Sequence, residues 1–330
     1  MRKFELVDRK EIRLTHEAPV PVPGPGEVLV MVRANTLCNR SDLAYYHYFG
    51  LRDHCATGCF GHEVAGVVHQ LGAGVTGFSV AERVFVRTPL TSGFADFALA
   101  RTIALGRLPE RIPFEQGAIL QLLPLAVHAT RGVRLGDRVV IIGQGPVGLM
   151  ALQVAALRGA AEIVVADLDP WRLARSGQLG ADRTEQVDGS LAALHEIGTG
   201  FDVAIEAVGT PTTANACVDL VRHNGLVVFL GTHHVDTKVT FDLVTWEKKG
   251  LRVHTAAEPT DQARAESMAI AQRLVYTDRI RLAELLTDVY PLEKLPEAID
   301  RLSANRTLAP EGAEVHAGPP PNVLKIAICP

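Results

Sequence analysis

The sequence predicts an α/β protein whose centre is a doubly wound parallel sheet. Three observations carry this. After about Gly117 the pattern becomes strand then helix, repeated several times. The motif Gly143-Gln144-Gly145-Pro146-Val147-Gly148 falls directly between one such strand and its helix. The segments before and after this stretch are β-rich and carry glycine and proline punctuation. Alternating strands and helices imply a parallel sheet covered on both faces.

The elements follow in chain order. Pro19 to Gly26 is a stiff, turn-forming lead-in. Glu27 to Ala34 (EVLVMVRA) is rich in valine and reads as a strand. Val64–Val68 and Arg83–Val86 are further short strands. Arg138–Ile142 is a strand and Pro146–Leu157 a helix. Glu162–Ala166 is a strand, and Pro170–Leu179 a helix closed by Gly180. Val203–Ala207 is a strand followed by a helix near Thr213–Leu220. Leu226–Leu230 and Leu251–Thr255 are two more strands. After about Glu258 comes a helix with short mixed elements. Ser303–Pro321 reads as a surface loop rich in proline and glycine, and Val323–Ile328 (VLKIAI) as a closing strand.

Composition narrows the function classes. The chain has 330 residues, 47% hydrophobic and 21% charged, with a formal charge of −4. These values suit a folded protein of about two domains. No basic block points to nucleic acid. The start lacks the apolar run of a secretory signal. Val139–Leu157 is apolar enough to suggest a membrane span, but Gly143, Gly145, Pro146 and Gly148 split it into a strand and a helix. The odd count of five cysteines argues against a disulfide scaffold, and a reducing cytoplasm is expected.

The glycine motif is the strongest chemical signal. Gly143 permits a tight turn, Gly145 lets backbone approach a pyrophosphate, and Gly148 lets the helix pack closely on the strand. Phosphate charge would then meet free N–H groups at the helix start. Asp167 ends the next strand 19 residues after Gly148. A carboxylate there can accept hydrogen bonds from ribose hydroxyls and would repel a 2′-phosphate, so NAD(H) is expected over NADP(H). Leu168 adjoins it, and Arg172 is near enough to soften that repulsion. Read without a nucleotide, Asp167 is a plain helix cap.

Together with PGPGEVLVMVRA (23 to 34), LCNRSDL (37 to 43), GHEVAGVV (61 to 68), GFADFAL (93 to 99), FDVAIEAVG (201 to 209) and GLVVFLG (225 to 231), this turn resembles the medium-chain dehydrogenase/reductase family, in its zinc alcohol and polyol dehydrogenase group. The resemblance spans nearly the whole chain. It implies a GroES-like catalytic domain made of residues 1–121 and 257–330, with a Rossmann domain inserted at 122–256. It also implies an active site between them, and nicotinamide-bordering loops at Val208, Gly209, Leu230 and Gly231.

The resemblance further implies a catalytic zinc held by a cysteine, the histidine of G-H-E and a third residue. Zinc polarises the substrate oxygen. Cys38 stands at the cysteine position counted from the preceding strand. Counted backward from Ser41-Asp42 the position is Asn39. His62 is the histidine, and the third position falls on Gln121, a neutral and poor ligand. Glu63 or a water is the substitute. Without a metal, Cys38 is a small buried apolar residue and His62 a core histidine. Asp42 would orient His62 or cap a helix beginning near Leu43. Ser41 matches the family's proton-relaying hydroxyl.

If zinc is missing, something else must protonate or polarise the substrate oxygen. Tyr45, Tyr46, His47 and Tyr48 follow Asp42, and one of them can donate a proton, with Tyr45 the chosen candidate. Otherwise these side chains pack or lie on the surface. Cys55 and Cys59 with His62 mimic a metal site but lack a fourth ligand. Structural zinc is not expected, because residues 87–93 are short and free of cysteine.

The expected function is hydride transfer between NAD(H) and a small alcohol or ketone of polyol, sugar or cyclitol type, in a homodimer or homotetramer. Two other readings stay open. One is a zinc-independent reductase of an activated C=C bond or quinone. The other is a non-catalytic dinucleotide-binding sensor.

Overall fold

A computed structural model describes residues 1–47, 60–231, 238–304, 307–308, 314–315 and 322–330. They fall into two compact units. The first comprises Met1–Pro124, Pro259–Ala304 and Val323–Pro330, and the second Leu125–Glu258 with the described part of Asn305–Asn322.

The first unit begins with an antiparallel hairpin, Lys3–Asp8 (β1) and Glu11–Thr15 (β2). Neither strand was expected, since both are short and mostly half-exposed. Glu27–Thr36 (β3) runs two residues past the expected end. Ser41–His47 is a short helix (α1). Glu63–Leu71 (β4), Arg83–Val86 (β5), Phe97–Arg101 (β6) and Leu105–Arg107 (β7) follow, then the turn of helix Phe114–Gly117 (α2). Leu122–Ala129 (α3) leads into the second unit.

There the strand–helix rhythm is close to expectation. It reads Arg138–Ile142 (β8), Pro146–Leu157 (α4), Glu162–Asp167 (β9) and Pro170–Gln178 (α5). Arg183–Gln186 (β10), Leu191–His195 (α6), Phe201–Glu206 (β11) and Pro211–Leu220 (α7) follow. Val221–Phe229 (β12), Leu243–Lys249 (α8) and Arg252–Thr255 (β13) close the run. All six strands pair in parallel, in the order β10-β9-β8-β11-β12-β13. In sequence numbering of the sheet this is 3-2-1-4-5-6, with the order reversing beside β8. β10 escaped the sequence reading because it is a polar edge strand, RTEQ, with little apolar content.

The chain then returns to the first unit through Asp261–Tyr276 (α9), Leu286–Pro291 (β14) and Leu295–Ser303 (α10). The expected loop over 303–321 lies largely outside the described residues. Its described parts, Thr307–Leu308 (β15) and Glu314–Val315 (β16), pair antiparallel. Lys325–Cys329 (β17) ends the chain. The first unit's main sheet runs β14-β17-β3-β4-β5-β7, with β6 also on β3. β3 therefore has strands on both edges, and Val28, Leu29, Val30 and Val32 are all buried, with Val28, Val30 and Val32 in one core cluster. No helix among the described residues is long and apolar enough to cross a membrane.

β3 and β4 approach closely at Gly66. A Cβ there would lie 2.1 Å from the Met31 carbonyl oxygen. Gly66→Ala must therefore push two paired strands apart, and should destabilise the protein by about 1–3 kcal/mol. Urea unfolding of the variant against wild type measures this.

Candidate functional site

In the second unit, β8 ends at Ile142 and the chain turns through Gly143 into α4. Gly143 has φ of +96°, a conformation that favours glycine. A Cβ on Gly148 would lie 1.9 Å from the Gly143 carbonyl oxygen, so the helix can pack here only as glycine. Gly145 is different. A Cβ there would meet only Arg172 Nη1, at 3.7 Å. Gly145 is the N-cap of α4 and makes no side-chain cap, and Pro146 occupies the first turn, where its missing N–H matters least. The space over Gly145 and the uncapped amides of Val147 and Gly148 form a cradle that suits a diphosphate.

Asp167 is the last residue of β9 and only 8% exposed. It is not a helix cap: Asp169 caps α5, accepting from the Trp171 amide. The two oxygens of Asp167 accept from the amides of Gln144 (2.6 Å) and Asp169 (2.9 Å). The carboxylate thus ties the glycine turn to the end of the neighbouring strand. Each oxygen keeps a second lone pair for a ribose hydroxyl. Arg172 is buried beside it, its Nε 3.8 Å from Asp169 Oδ2. Leu168 follows directly, and its carbonyl accepts from Gln186 Nε2 at 3.4 Å.

Glu206, at the end of β11, was not expected to matter. It is fully buried, and its Oε1 accepts from the amides of Val208 and Gly209 and from the Thr213 hydroxyl. Its carbonyl accepts from the amides of Leu230 and Gly231. One residue therefore organises all four positions expected to border the nicotinamide end. The signal in the sequence was an acidic residue closing an otherwise apolar strand, FDVAIE.

In the first unit, Cys38, His62 and Glu63 converge. One donor atom from each lies within 4.8 Å of the other two. Cys38 follows β3, His62 directly precedes the adjacent antiparallel strand β4 and Glu63 opens it, so strand pairing brings them together. Asn39 faces elsewhere, donating from Nδ2 to the Leu324 carbonyl. Asp42 is 1% exposed. It accepts from the Cys38 amide (2.8 Å) and the Gly61 amide (2.9 Å), and stands 3.6 Å from His62 Nδ1. It thus holds both ligand-bearing loops and lies inside α1 rather than capping it.

Burial works against charge on Cys38, but the His62 imidazolium holds the thiol below its usual value. Burial likewise works against His62, but the Cys38 thiolate and Asp42 hold it well above its usual range. A thiolate is the form that a metal takes. Glu63 is paired with Lys325, and Thr36 donates its hydroxyl to the other carboxylate oxygen.

Gln121 is buried on the turn Ala118–Gln121, and its Oε1 has no hydrogen-bond partner among the described residues. Such an orphan costs about 1–3 kcal/mol, and a ligand would relieve it. Ser41 opens α1, its amide directed at Cys38 Sγ at 3.4 Å. Tyr45 is buried in the apolar cluster of Phe4, Leu37 and Ile326. Burial, then Asp42 and Cys38, raise its phenol, while a hydrogen bond with Ser41 works the other way. A phenol so raised is a weak proton donor. His47 is buried with Nε2 3.4 Å from Ser303 Oγ. Tyr48, Cys55 and Cys59 lie outside the described residues.

The donor set fits zinc once the metal displaces the proton from His62: a thiolate, an imidazole and a carboxylate with an oriented outer ring of partners. The cradle over Gly145 with Asp167 fits a dinucleotide. Residues 24–107 match the family model for the alcohol dehydrogenase GroES-like domain. Residues 146–271 match that for zinc-binding dehydrogenase. The chain is 28% identical over 327 residues to sorbitol dehydrogenase of Gallus gallus, covering 88% of this chain and 90% of that one. It is 28% identical over 313 residues to L-threonine 3-dehydrogenase of Xanthomonas campestris, covering 84% and 86%. The crystal structure of galactitol-1-phosphate dehydrogenase from Escherichia coli superposes with a TM-score of 0.81 at 20% identity, covering 100% of each chain. That likeness carries the fold, a GroES-like unit and a Rossmann unit. The chain belongs to the zinc-type medium-chain alcohol and polyol dehydrogenase family, enzymes that bind NAD(P).

Proposed function

We propose that this enzyme transfers hydride between NAD(H) and a small polyol-type alcohol or its ketone, with zinc held by Cys38, His62 and Glu63. The convergence of those three donors is the observation that carries the reading. The relatives named for sorbitol and L-threonine support a substrate with adjacent polar groups. Zinc supplies a Lewis acid for the substrate oxygen and the nicotinamide supplies the hydride carrier.

The protein's own residues do the rest. Asp42 keeps the Cys38 and Gly61–His62 loops in place through two backbone amides. Ser41, beside Cys38, is the hydroxyl that moves the substrate proton. Gln121 contributes its unpaired oxygen as a weak further ligand. The α4 amides bind the diphosphate. Asp167 accepts from the adenosine ribose, and its charge disfavours a 2′-phosphate, so NAD(H) is preferred. Val208, Gly209, Leu230 and Gly231, held by Glu206, border the nicotinamide. The free thiols Cys38, Cys217 and Cys329 suit a reducing cytoplasm. A homodimer or homotetramer is the expected assembly, which light scattering measures.

Turnover of a polyol and sugar-alcohol panel with NAD, alongside metal analysis at one zinc per chain, tests the reading. Reduction of quinones or enones by zinc-free protein would replace it. NADH should bind at least about tenfold more tightly than NADPH by fluorescence titration.

Gly145→Ala should change stability by less than about 1 kcal/mol, because the added methyl meets only the end of the Arg172 side chain in ordinary contact, yet weaken NADH binding at least about tenfold. Gly148→Ala should instead destabilise the fold by about 1–3 kcal/mol. Unfolding and fluorescence titration of the same two variants separate the cases. Asp42→Asn places an amide against two backbone N–H donors, and should raise the zinc dissociation constant by about 10–100-fold. Competition with a chromogenic chelator reads this out.

A further inference from the structure

We infer that Lys325 is a positioning residue that restrains Glu63, keeping its carboxylate shared between the fold and the metal. The inference rests on the zinc reading above and adds a residue to it. Lys325 lies in the last strand, β17, within the apolar run VLKIAI. Its side chain is 2% exposed and that of Glu63 is 0% exposed. Its ammonium donates to Glu63 Oε1 at 2.6 Å and to the Leu37 carbonyl at 2.9 Å. The Thr36 hydroxyl takes Oε2. Both oxygens of Glu63 therefore already have partners, although the residue lies within ligand reach of Cys38 and His62.

The charges make the consequence explicit. Cys38 thiolate and Glu63 carboxylate carry two negative charges, and Lys325 removes one. A dication entering the trio meets a nearby fixed cation. That repulsion falls off with distance and is strong where water is excluded. Lys325 thus weakens zinc binding, yet holds Glu63 in place when its charge has no other partner. A buried pair of this kind does little for stability, but loss of one member leaves the other charge uncompensated. Without Lys325, Glu63 must find its counter-charge in the metal.

The experiment compares wild type with Lys325→Met, Lys325→Arg and the double variant Lys325→Met/Glu63→Gln as full-length chains. Two readouts are used: zinc release to EDTA, and melting temperature with and without added zinc. Lys325→Met should release zinc at least about tenfold more slowly. Its zinc-free melting temperature should fall by about 5–10 °C, and zinc should restore more of it than in wild type. Lys325→Arg should stay near wild type. The double variant should regain zinc-free stability and release zinc faster than wild type.

If Lys325→Met is recovered only unfolded, the double variant decides: its recovery supports the restraint and its failure overturns it. A Lys325→Met release rate equal to or faster than wild type also overturns it. If wild type takes up zinc and Cys38→Ser loses it, that result sinks the restraint alone. If wild type takes up no zinc, the ligand set falls as well.

Discussion

A carboxylate in a dry interior must be given hydrogen-bond donors, and this requirement shapes both units. Asp42, Glu63, Asp167 and Glu206 are all buried. An unpaired charge in such surroundings is strongly unfavourable. Each is therefore tied down, and what ties it is chiefly loop backbone. Asp42 takes the amides of Cys38 and Gly61, Asp167 those of Gln144 and Asp169, and Glu206 those of Val208 and Gly209. Those loops carry the candidate chemistry. The carboxylates convert flexible strand ends into fixed positions, because moving the loop would strip donors from a buried charge.

The two units then use opposite electrostatic arrangements. The turn after β8 presents amides, backed by a helix start, to an anion. The candidate cluster beside β3 and β4 groups a thiolate, an imidazole and a carboxylate, donors that suit a cation. In each case a carboxylate stands behind the site. Asp167 braces the amide turn, and Asp42 braces the cation cluster. Glu63 is the exception, since it is braced by a lysine and a hydroxyl rather than by backbone. Unlike Asp42, it is placed where its own charge can meet a cation beside Cys38 and His62.

The parallel-sheet unit was legible because its signals are local. Valine-rich strands, a Pro at the start of α4 and the spacing of three glycines all lie within one short stretch. The polar edge strand β10 and the hairpin β1–β2 were not, since neither buries enough apolar surface to leave a pattern. In the cation cluster, the sequence left Cys38 and Asn39 as competing positions. The outcome depends on which side chain meets the closing strand, and that strand is almost 300 residues away; Asn39 donates to Leu324. Gln121 was reached by counting along the chain, while Glu63 reaches the cluster by strand pairing, which counting does not convey. Glu206 and Lys325 were missed for the same reason: each shows only as one charge in an apolar strand.

That single charge can nonetheless be weighed. Replacing a buried ion pair by apolar side chains of similar size is often neutral or stabilising. The pair Glu63–Lys325 therefore has no sufficient explanation in fold stability. A core at this position would be served as well by leucine and methionine, and β17 is otherwise apolar. The pair makes sense if the Glu63 charge is required next to Cys38 and His62, with Lys325 then needed to hold it in place. On this argument the lysine is present because of the carboxylate, and the carboxylate because of its neighbours. On that proposal the candidate site reaches into the closing strand of the sheet, well beyond the residues that a short motif can name.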